Sequence, residues 1–444
     1  MKVTRLPQDP GPAAWNALLP EASPPVVQEG SMTADWLIIG AGFAGLAAAR
    51  RLSQLHPGGR IALIDAVRIG EGPAGRNSGF MIDLPHDLAS ENYSGQIEVD
   101  RRQIAANRAA IDFAVDAAQQ YDLPEEAIQR SGKLNAAASA KGDARNASYA
   151  AHLSALGEEY SVCDAHAMHE ITGSTYYSSG LFTPHAAMIQ PALFVRGVAA
   201  GLASNRVSVF ENSPVLGIER TGTAWRARTP KGSVEAPSVI LAVNGHLESF
   251  GFYKRQLMHV FTYASMSSRL GPDEVSRLGG DRAWGATPAD PMGTTVRRVS
   301  GQGGDRIVIR NRFTYDPSME SAEERLPAIG TIHDAAFDAR FPMLKGLGME
   351  FRWGGRLCLS RNDAPAFGEI DNGVFAACCQ NGLGTTKGTF SGIAAADLAS
   401  GLSTPFTAFM DEVDEPARLP PEPFARIGAT AVIRFNEWRA GREF

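Results

Sequence analysis

Residues 34–52 read ADWLIIGAGFAGLAAARRL, an apolar run and an alanine-rich run joined by three glycines. Trp36-Leu37-Ile38-Ile39, bounded by Gly40, has the length and composition of a buried parallel strand. Gly40, Gly42 and Gly45 keep the G-x-G-x-x-G spacing, and each has its own task. The first permits the tight turn, the second lets the backbone approach a pyrophosphate, and the third lets helix and strand pack closely. Phe43 and Ala44 fall inside the turn and Leu46 to Ala49 favour a helix, whose N-terminal N–H groups and partial positive charge would face an anion. His56-Pro57-Gly58-Gly59 ends that helix. Arg60 to Ile64 reads as a second strand, closed by Asp65 twenty residues beyond Gly45. An acid at that distance accepts hydrogen bonds from a ribose; without a ligand it would be a strand-end cap. The unit is predicted to bind a dinucleotide, and by itself it suits FAD or NAD equally.

The 444 residues are 44% hydrophobic and 20% charged, which allows a large core and two or three domains. A formal charge of −6 with no basic block argues against a nucleic-acid partner. Cys163, Cys358, Cys378 and Cys379 lack CxxC spacing, so no metal site and no disulfide framework is indicated. Reduced thiols in a cytoplasmic protein are expected. The proline-interrupted N-terminus has no apolar export core, and no eighteen apolar residues run together, so neither export nor a membrane span is expected.

Three later blocks choose between the dinucleotides. GEGPAGRNSGFMIDLPH (residues 70–86), with Arg76, Asn77, Ser78 and Gly79, resembles the glycine-rich, Arg-Asn-containing segment of the D-amino-acid oxidase superfamily of FAD-dependent oxidoreductases. Met188 to Arg220, which includes Val215, and SVILAVNGH (residues 238–246), which supplies Ala242, Asn244 and Gly245, resemble that family's later nucleotide-domain strands. Phe351 to Gly401 resembles its closing glycine block, in which Asn381-Gly382-Leu383-Gly384-Thr385-Thr386-Lys387 leads into a helix. The blocks fall in family order and cover about half the chain; the branch holding γ-glutamylputrescine oxidase, glycine oxidase and sarcosine oxidase is the nearest in character. The resemblance implies a Rossmann-like, α/β FAD-binding domain with an α+β substrate domain of antiparallel sheet and helices. It also implies oxidation of the C–N bond of a small amine or amino acid to an imine, by hydride transfer to flavin N5. The late helix N-terminus, set at the flavin N1–C2=O edge, would favour the anionic reduced ring.

Composition shifts divide the chain into a leader (1–33), a discontinuous FAD-binding domain (34–90, 180–248 and 352–412), a substrate domain (91–179 and 249–351) and a tail (413–444). The first insertion reads as helical and the second as antiparallel strand, and the leader is expected to lie over the surface.

Because the cofactor carries the difficult step, the protein needs mainly to position its substrate. Arg310 and Arg312 share strand parity, so one face could present both guanidiniums to a carboxylate, with Tyr315 nearby; the alternative is an exposed salt-bridged face. His259 and Tyr263 share parity on the preceding strand, where His259 could tune an amine proton or simply pack. Lys387 adds charge at the flavin, binds a substrate carboxylate, or is a solvated helix-start lysine. Asp83, His86 and Asp87 follow the flavin loop and either receive a cationic amine or cap a helix. Members of the sarcosine-oxidase branch carry an oxygen-promoting lysine where this chain has Ile307-Val308-Ile309, so O2 and another electron acceptor both stay open. Cys358 does not fall on the covalent-attachment pattern, which favours non-covalent FAD; its plain reading is a small buried hydrophobe. An NAD-dependent dehydrogenase would leave the late glycine block unexplained, and a flavin-binding module without turnover would require a blocked substrate cavity.

Overall fold

The computed structural model describes residues 1–85 and 95–444. In chain order the elements used below are β1 (Trp36–Ile39), α1 (Phe43–Leu55), β2 (Ile61–Ile64), α2 (Ile97–Gln120), β3 (Lys133–Ala137), β4 (Ser161–Asp164) and β5 (Ser179–Thr183). They continue with β6 (Val207–Phe210), β7 (Ser238–Leu241), β8 (Met258–Ser267), β9 (Trp284–Pro288), β10 (Thr295–Gly301), β11 (Gly304–Tyr315), α3 (Arg325–Arg340) and β12 (Met349–Leu359). The last are β13 (Ala366–Asp371), β14 (Val374–Cys378), α4 (Thr386–Ala399) and α5 (Phe424–Ala440).

One sheet has the strand order β6-β2-β1-β7-β14-β13, parallel except for β13 at its edge. Strands β1, β2 and β14 are apolar throughout because both faces of the sheet are covered there. Ile38, Leu63 and Ile240 turn into one core cluster, while Leu37, Ile39, Ala62 and Ile64 turn into another. Helices α1 and α4 start on the same side and cross closely. A Cβ on Gly392 would stand 2.1 Å from the Ala44 carbonyl oxygen, so the crossing needs glycine there.

The second large sheet, in the order β12-β8-β11-β10-β9-β3-β5-β4, is antiparallel apart from the β9–β3 pair and roofs the first. The fold class is therefore the expected one, an α/β nucleotide domain with an α+β second domain. Strand β12 crosses the boundary drawn at residues 351/352 and pairs along its length with β8, so both its ends belong to the roof.

Leader and tail are tied into this body. Trp15 is 1% exposed; its Nε1 donates to the Asn77 carbonyl at 2.8 Å, and Gln190 Nε2 donates to the Trp15 carbonyl at 2.8 Å. Most of the leader is exposed or half-buried, and it is pinned to the body where Ala13, Ala14 and Trp15 are buried, because an indole of that area contributes most when it is covered. In the tail, Ala425, Ala429 and Ile433 of α5 pack on Val260, Phe313 and Tyr315 of the roof. Glu443 accepts from the Ala138 N–H at 2.9 Å and from Ser139 Oγ at 2.6 Å.

Candidate active site

A cleft between the two sheets runs along the C-terminal ends of β1 and β7 and past the starts of α1 and α4, with about 1890 Å³ of empty space including solvent at its mouth. The glycine turn is built as its spacing requires. Gly40 adopts φ +101°, and a Cβ on Gly45 would lie 1.8 Å from the Gly40 carbonyl oxygen, so β1 and α1 touch backbone to backbone. Gly42 caps α1 without a side chain, which leaves first-turn N–H groups facing the cleft. The Asp65 carboxylate accepts from the Ala41 N–H at 2.8 Å and the Val67 N–H at 3.0 Å. Burial pushes its carboxyl above the ordinary range, and those backbone donors pull it back down. A Cβ added to Gly388 would be 3.5 Å from Phe43 Cβ, so the two helix starts lie side by side on the cleft.

Of the residues singled out in the sequence, Gly40, Gly42, Phe43, Ala44, Asp65, Arg76, Asn77 and Ser78 line the cleft. So do Val215, Ala242, Asn244 and Gly245, then Gly382, Leu383, Gly384 and Thr385, and from the roof Tyr263 and Arg310. Gly45, Gly79, Asn381, Thr386, Lys387, His259 and Arg312 do not line it. Asn381 orders the late turn from outside, accepting from the Ser360 N–H at 2.7 Å and donating to the Asp363 carbonyl at 2.9 Å. Lys387 Nζ sits 3.5 Å from Asp363 Oδ2, on the outer side of α4. Gly79, at φ +80°, leaves room for the Arg297 guanidinium, which donates to the Gly79 carbonyl at 3.1 Å.

The arginine pair does not share a face. The β8–β11 register shifts between Thr262 and Tyr263, and Arg312, at φ +62°, stands at that bulge. Strict alternation ends there, and Arg312 turns to Glu437 of α5 at 2.6 Å while Arg310 stays on the cleft wall. The expected two-guanidinium clamp is thus corrected by one extra residue. His259 Nε2 donates to the Glu248 carboxylate at 2.8 Å, and the residue is 2% exposed. Tyr263 Oη lies 2.8 Å from Thr314 Oγ1 and 2.7 Å from Ser321 Oγ. Tyr315 Oη donates to Glu422 at 3.1 Å, away from the cleft. Asp83 is fully buried and holds Arg108 at 2.9 Å, and His86 and Asp87 lie outside the described residues.

Sequence reasoning missed Arg356 and His246. Arg356, 2% exposed in its side chain, donates to the Gln8 carbonyl at 2.8 Å and to Asp9 at 3.1 Å and contacts His246 Nε2. Val3, Arg5, Leu6 and Pro7 of the leader complete this wall. Asp9 and Arg356 are 347 residues apart, so no local pattern joins them.

Burial, helped by Arg356, holds the His246 imidazole down at about 3; burial and Arg352 hold His333 at about 3 as well. An unfolded chain, with imidazoles near 6.5, takes up protons first on acidification. The stability gained by keeping both rings neutral is therefore complete above about pH 6.5 and is lost as pH falls below it, at about 1.4 kcal/mol per pH unit per ring. Denaturant unfolding at pH 6.5 and 5.0 is expected to show that drop, and His333→Asn to reduce it. A wild-type free energy that stays level across the interval contradicts the buried neutral rings.

Glycine backbones that admit no Cβ, two helix starts and the Asp65 carboxylate along one cleft have the make-up of a dinucleotide-binding site. The chain belongs to the DAO family of FAD-dependent oxidoreductases, whose family description matches residues 35–398. It is 24% identical over 423 residues to gamma-glutamylputrescine oxidoreductase of Escherichia coli (strain K12), covering 89% of this chain and 88% of that protein. Its fold resembles that of glycine oxidase from Geobacillus kaustophilus, with TM-score 0.70, 15% identity, 88% of this chain and 100% of that one. L-proline dehydrogenase from P. horikoshii gives TM-score 0.66 at 16% identity, over 87% of this chain and 100% of that one. Among the described residues, no helix is long and apolar enough to cross a membrane.

Proposed function

We propose that this enzyme oxidises the C–N bond of a small amine or amino acid, using FAD held without a covalent bond and passing the electrons to O2 or another acceptor. Gly42, Phe43 and Ala44 with Asp65 would hold the adenosine and pyrophosphate, and Asn77, Ser78 and Gly382 to Thr385 the flavin. Bound there, FAD supplies the acceptor for a hydride from the carbon beside nitrogen, leaving an imine that water hydrolyses. The observation that carries the reading is Arg310, which lines the roof side of the cleft opposite Ala264. Its charge suits a substrate carboxylate, which it would orient toward the flavin-binding floor. The names of the similar proteins, an oxidoreductase of a γ-glutamylated amine, a glycine oxidase and a proline dehydrogenase, support the same class of substrate.

Non-covalent binding is supported by Cys358, which lines the cleft but whose thiol is pushed well above its ordinary range by a hydrogen bond with Cys379 and by burial. All four cysteines are free and buried, which fits a reducing cytoplasm. The test is anaerobic mixing of the FAD-loaded protein with primary, secondary and N-methylated amines and with D- and L-amino acids. Bleaching of the flavin absorbance by members of one class is expected, followed by reoxidation with O2 or an artificial acceptor. Full FAD occupancy with no bleaching by any amine overturns the proposal.

A further inference from the structure

The roof carries a second polar cluster that the cleft chemistry above leaves unused. Lys133 and Asn135 of β3, Thr183 of β5, Thr287 of β9 and Asp83 are all at most 6% exposed. Lys133 Nζ donates to Asn135 Oδ1 and, at 3.2 Å, to Thr287 Oγ1, while the Thr287 hydroxyl donates to Asn135 Oδ1 at 2.8 Å. With Asn135 Oδ1 accepting twice, the amide orientation is set, and among the described residues Nδ2 has no partner. Among the same residues Thr183 Oγ1 and Asp83 Oδ1 also have none. Among the described residues Lys133 forms no ion pair. Asp83, the anion that acts on it, is already engaged through Oδ2 by Arg108 at 2.9 Å.

Buried polar atoms are rarely left unsatisfied, and a buried ammonium without a carboxylate is costly. The free capacity here is mostly donor: the Asn135 amide, the Thr183 hydroxyl and the remaining Lys133 N–H outnumber the one unpartnered carboxylate oxygen. Burial lowers Lys133 to about 8, so it stays cationic at neutral pH. The cluster also faces the cleft side of the roof. Asn135 pairs with Thr287, and Thr295, next after the Ala286–Val296 pair, stands opposite Arg310. Cross-strand partners share a face. The cluster and Arg310 therefore lie on one face, three strands or roughly 14 Å apart at the usual strand spacing. Phe80, a cleft residue, and Met188 cover the stretch between: a Cβ on Gly285 would be 2.8 Å from Phe80 Cε1 and 2.5 Å from Met188 Cε.

We infer that Lys133, Asn135 and Thr183 form a subsite for a carboxylate carried on the substrate's end remote from the oxidised amine. The substrates of choice are then amines bearing a distant carboxylate. This rests on the proposed amine oxidation for its meaning, but its binding step is read separately. The FAD-loaded protein is titrated with glutarate and acetate, which cannot be oxidised, following flavin absorbance and thermal midpoint. It is also reduced anaerobically by 5-aminovalerate and by pentylamine. Saturable glutarate binding is expected, with at least tenfold preference for 5-aminovalerate over pentylamine in the concentration giving half-maximal reduction rate. Lys133→Met should weaken glutarate at least tenfold and erase the preference at unchanged FAD content. Thr183→Val, which keeps the side-chain shape should Lys133→Met fail to fold, should weaken glutarate several-fold. Absence of carboxylate binding to the wild type, or equal binding by the folded variants, overturns the subsite. Glutarate binding without reduction by any amine leaves the subsite standing and defeats the amine chemistry instead.

Discussion

Gly45→Ala is expected to yield protein without bound flavin and with stability lower by about 3 kcal/mol, the upper range for forcing extra atoms into a packed site. The added Cβ would stand 1.8 Å from the Gly40 carbonyl oxygen, with its carbon at 3.0 Å. Neither neighbour is a side chain that can rotate away, so α1 must shift against β1. That shift carries Gly42 and the first-turn N–H groups off the line they present to the cleft. FAD content after gel filtration and denaturant unfolding read both effects. Gly58→Ala is the control, because its Cβ would meet nothing within 4 Å. A Gly45→Ala protein with full flavin and wild-type stability contradicts the backbone contact.

Arg356→Leu is expected to cost about 3–5 kcal/mol, the usual penalty when one partner of a buried ion pair is removed. Leucine replaces the volume over the Phe261 ring, which the guanidinium now covers at 5.5 Å from its centroid. It leaves Asp9, 5% exposed in its side chain, without its cation and leaves the Gln8 carbonyl without that donor. The leader then keeps its backbone bonds from Val3 to Leu216 and from Thr4 to Ser249 but loses its side-chain tie next to Leu6 and Pro7 on the cleft wall, so FAD affinity should fall along with stability. Adding Asp9→Leu to Arg356→Leu should recover much of the loss, because the stranded carboxylate, more than the missing pair, sets the cost. The unfolding free energies of wild type, both single variants and the double variant measure this as a coupling energy. A coupling below about 0.5 kcal/mol would show that the two side chains act independently.

The parts of the site legible in sequence are those whose geometry is made within a few neighbouring residues. The turn at Gly40 to Gly45 is one, since φ +101° and a 1.8 Å approach admit only glycine at those positions. Asp65 is another: its reach back to the Ala41 N–H spans one strand–helix–strand unit of standard length. The late glycine turn and α4 were readable for the same reason. Lys387 shows where that reasoning stops, because a helix start predicts charge near an anion but does not say which side of the helix faces it. The rotation of α4 is set by Gly392 against α1, and it puts Lys387 beside Asp363.

By itself, the sequence determined that a strand, a glycine turn and a helix would present backbone N–H groups to a dinucleotide, and that a second glycine turn would start another helix. These are local requirements of backbone sterics and hydrogen bonding. Tertiary structure alone decided that Arg312 leaves the cleft, since a bulge depends on the register between β8 and β11. It alone brought Asp9 to Arg356 and turned Lys133 and Arg310 to one face of the roof. Side-chain direction at those positions follows from pairings between strands distant in the chain, and residue spacing within one segment carries no record of them.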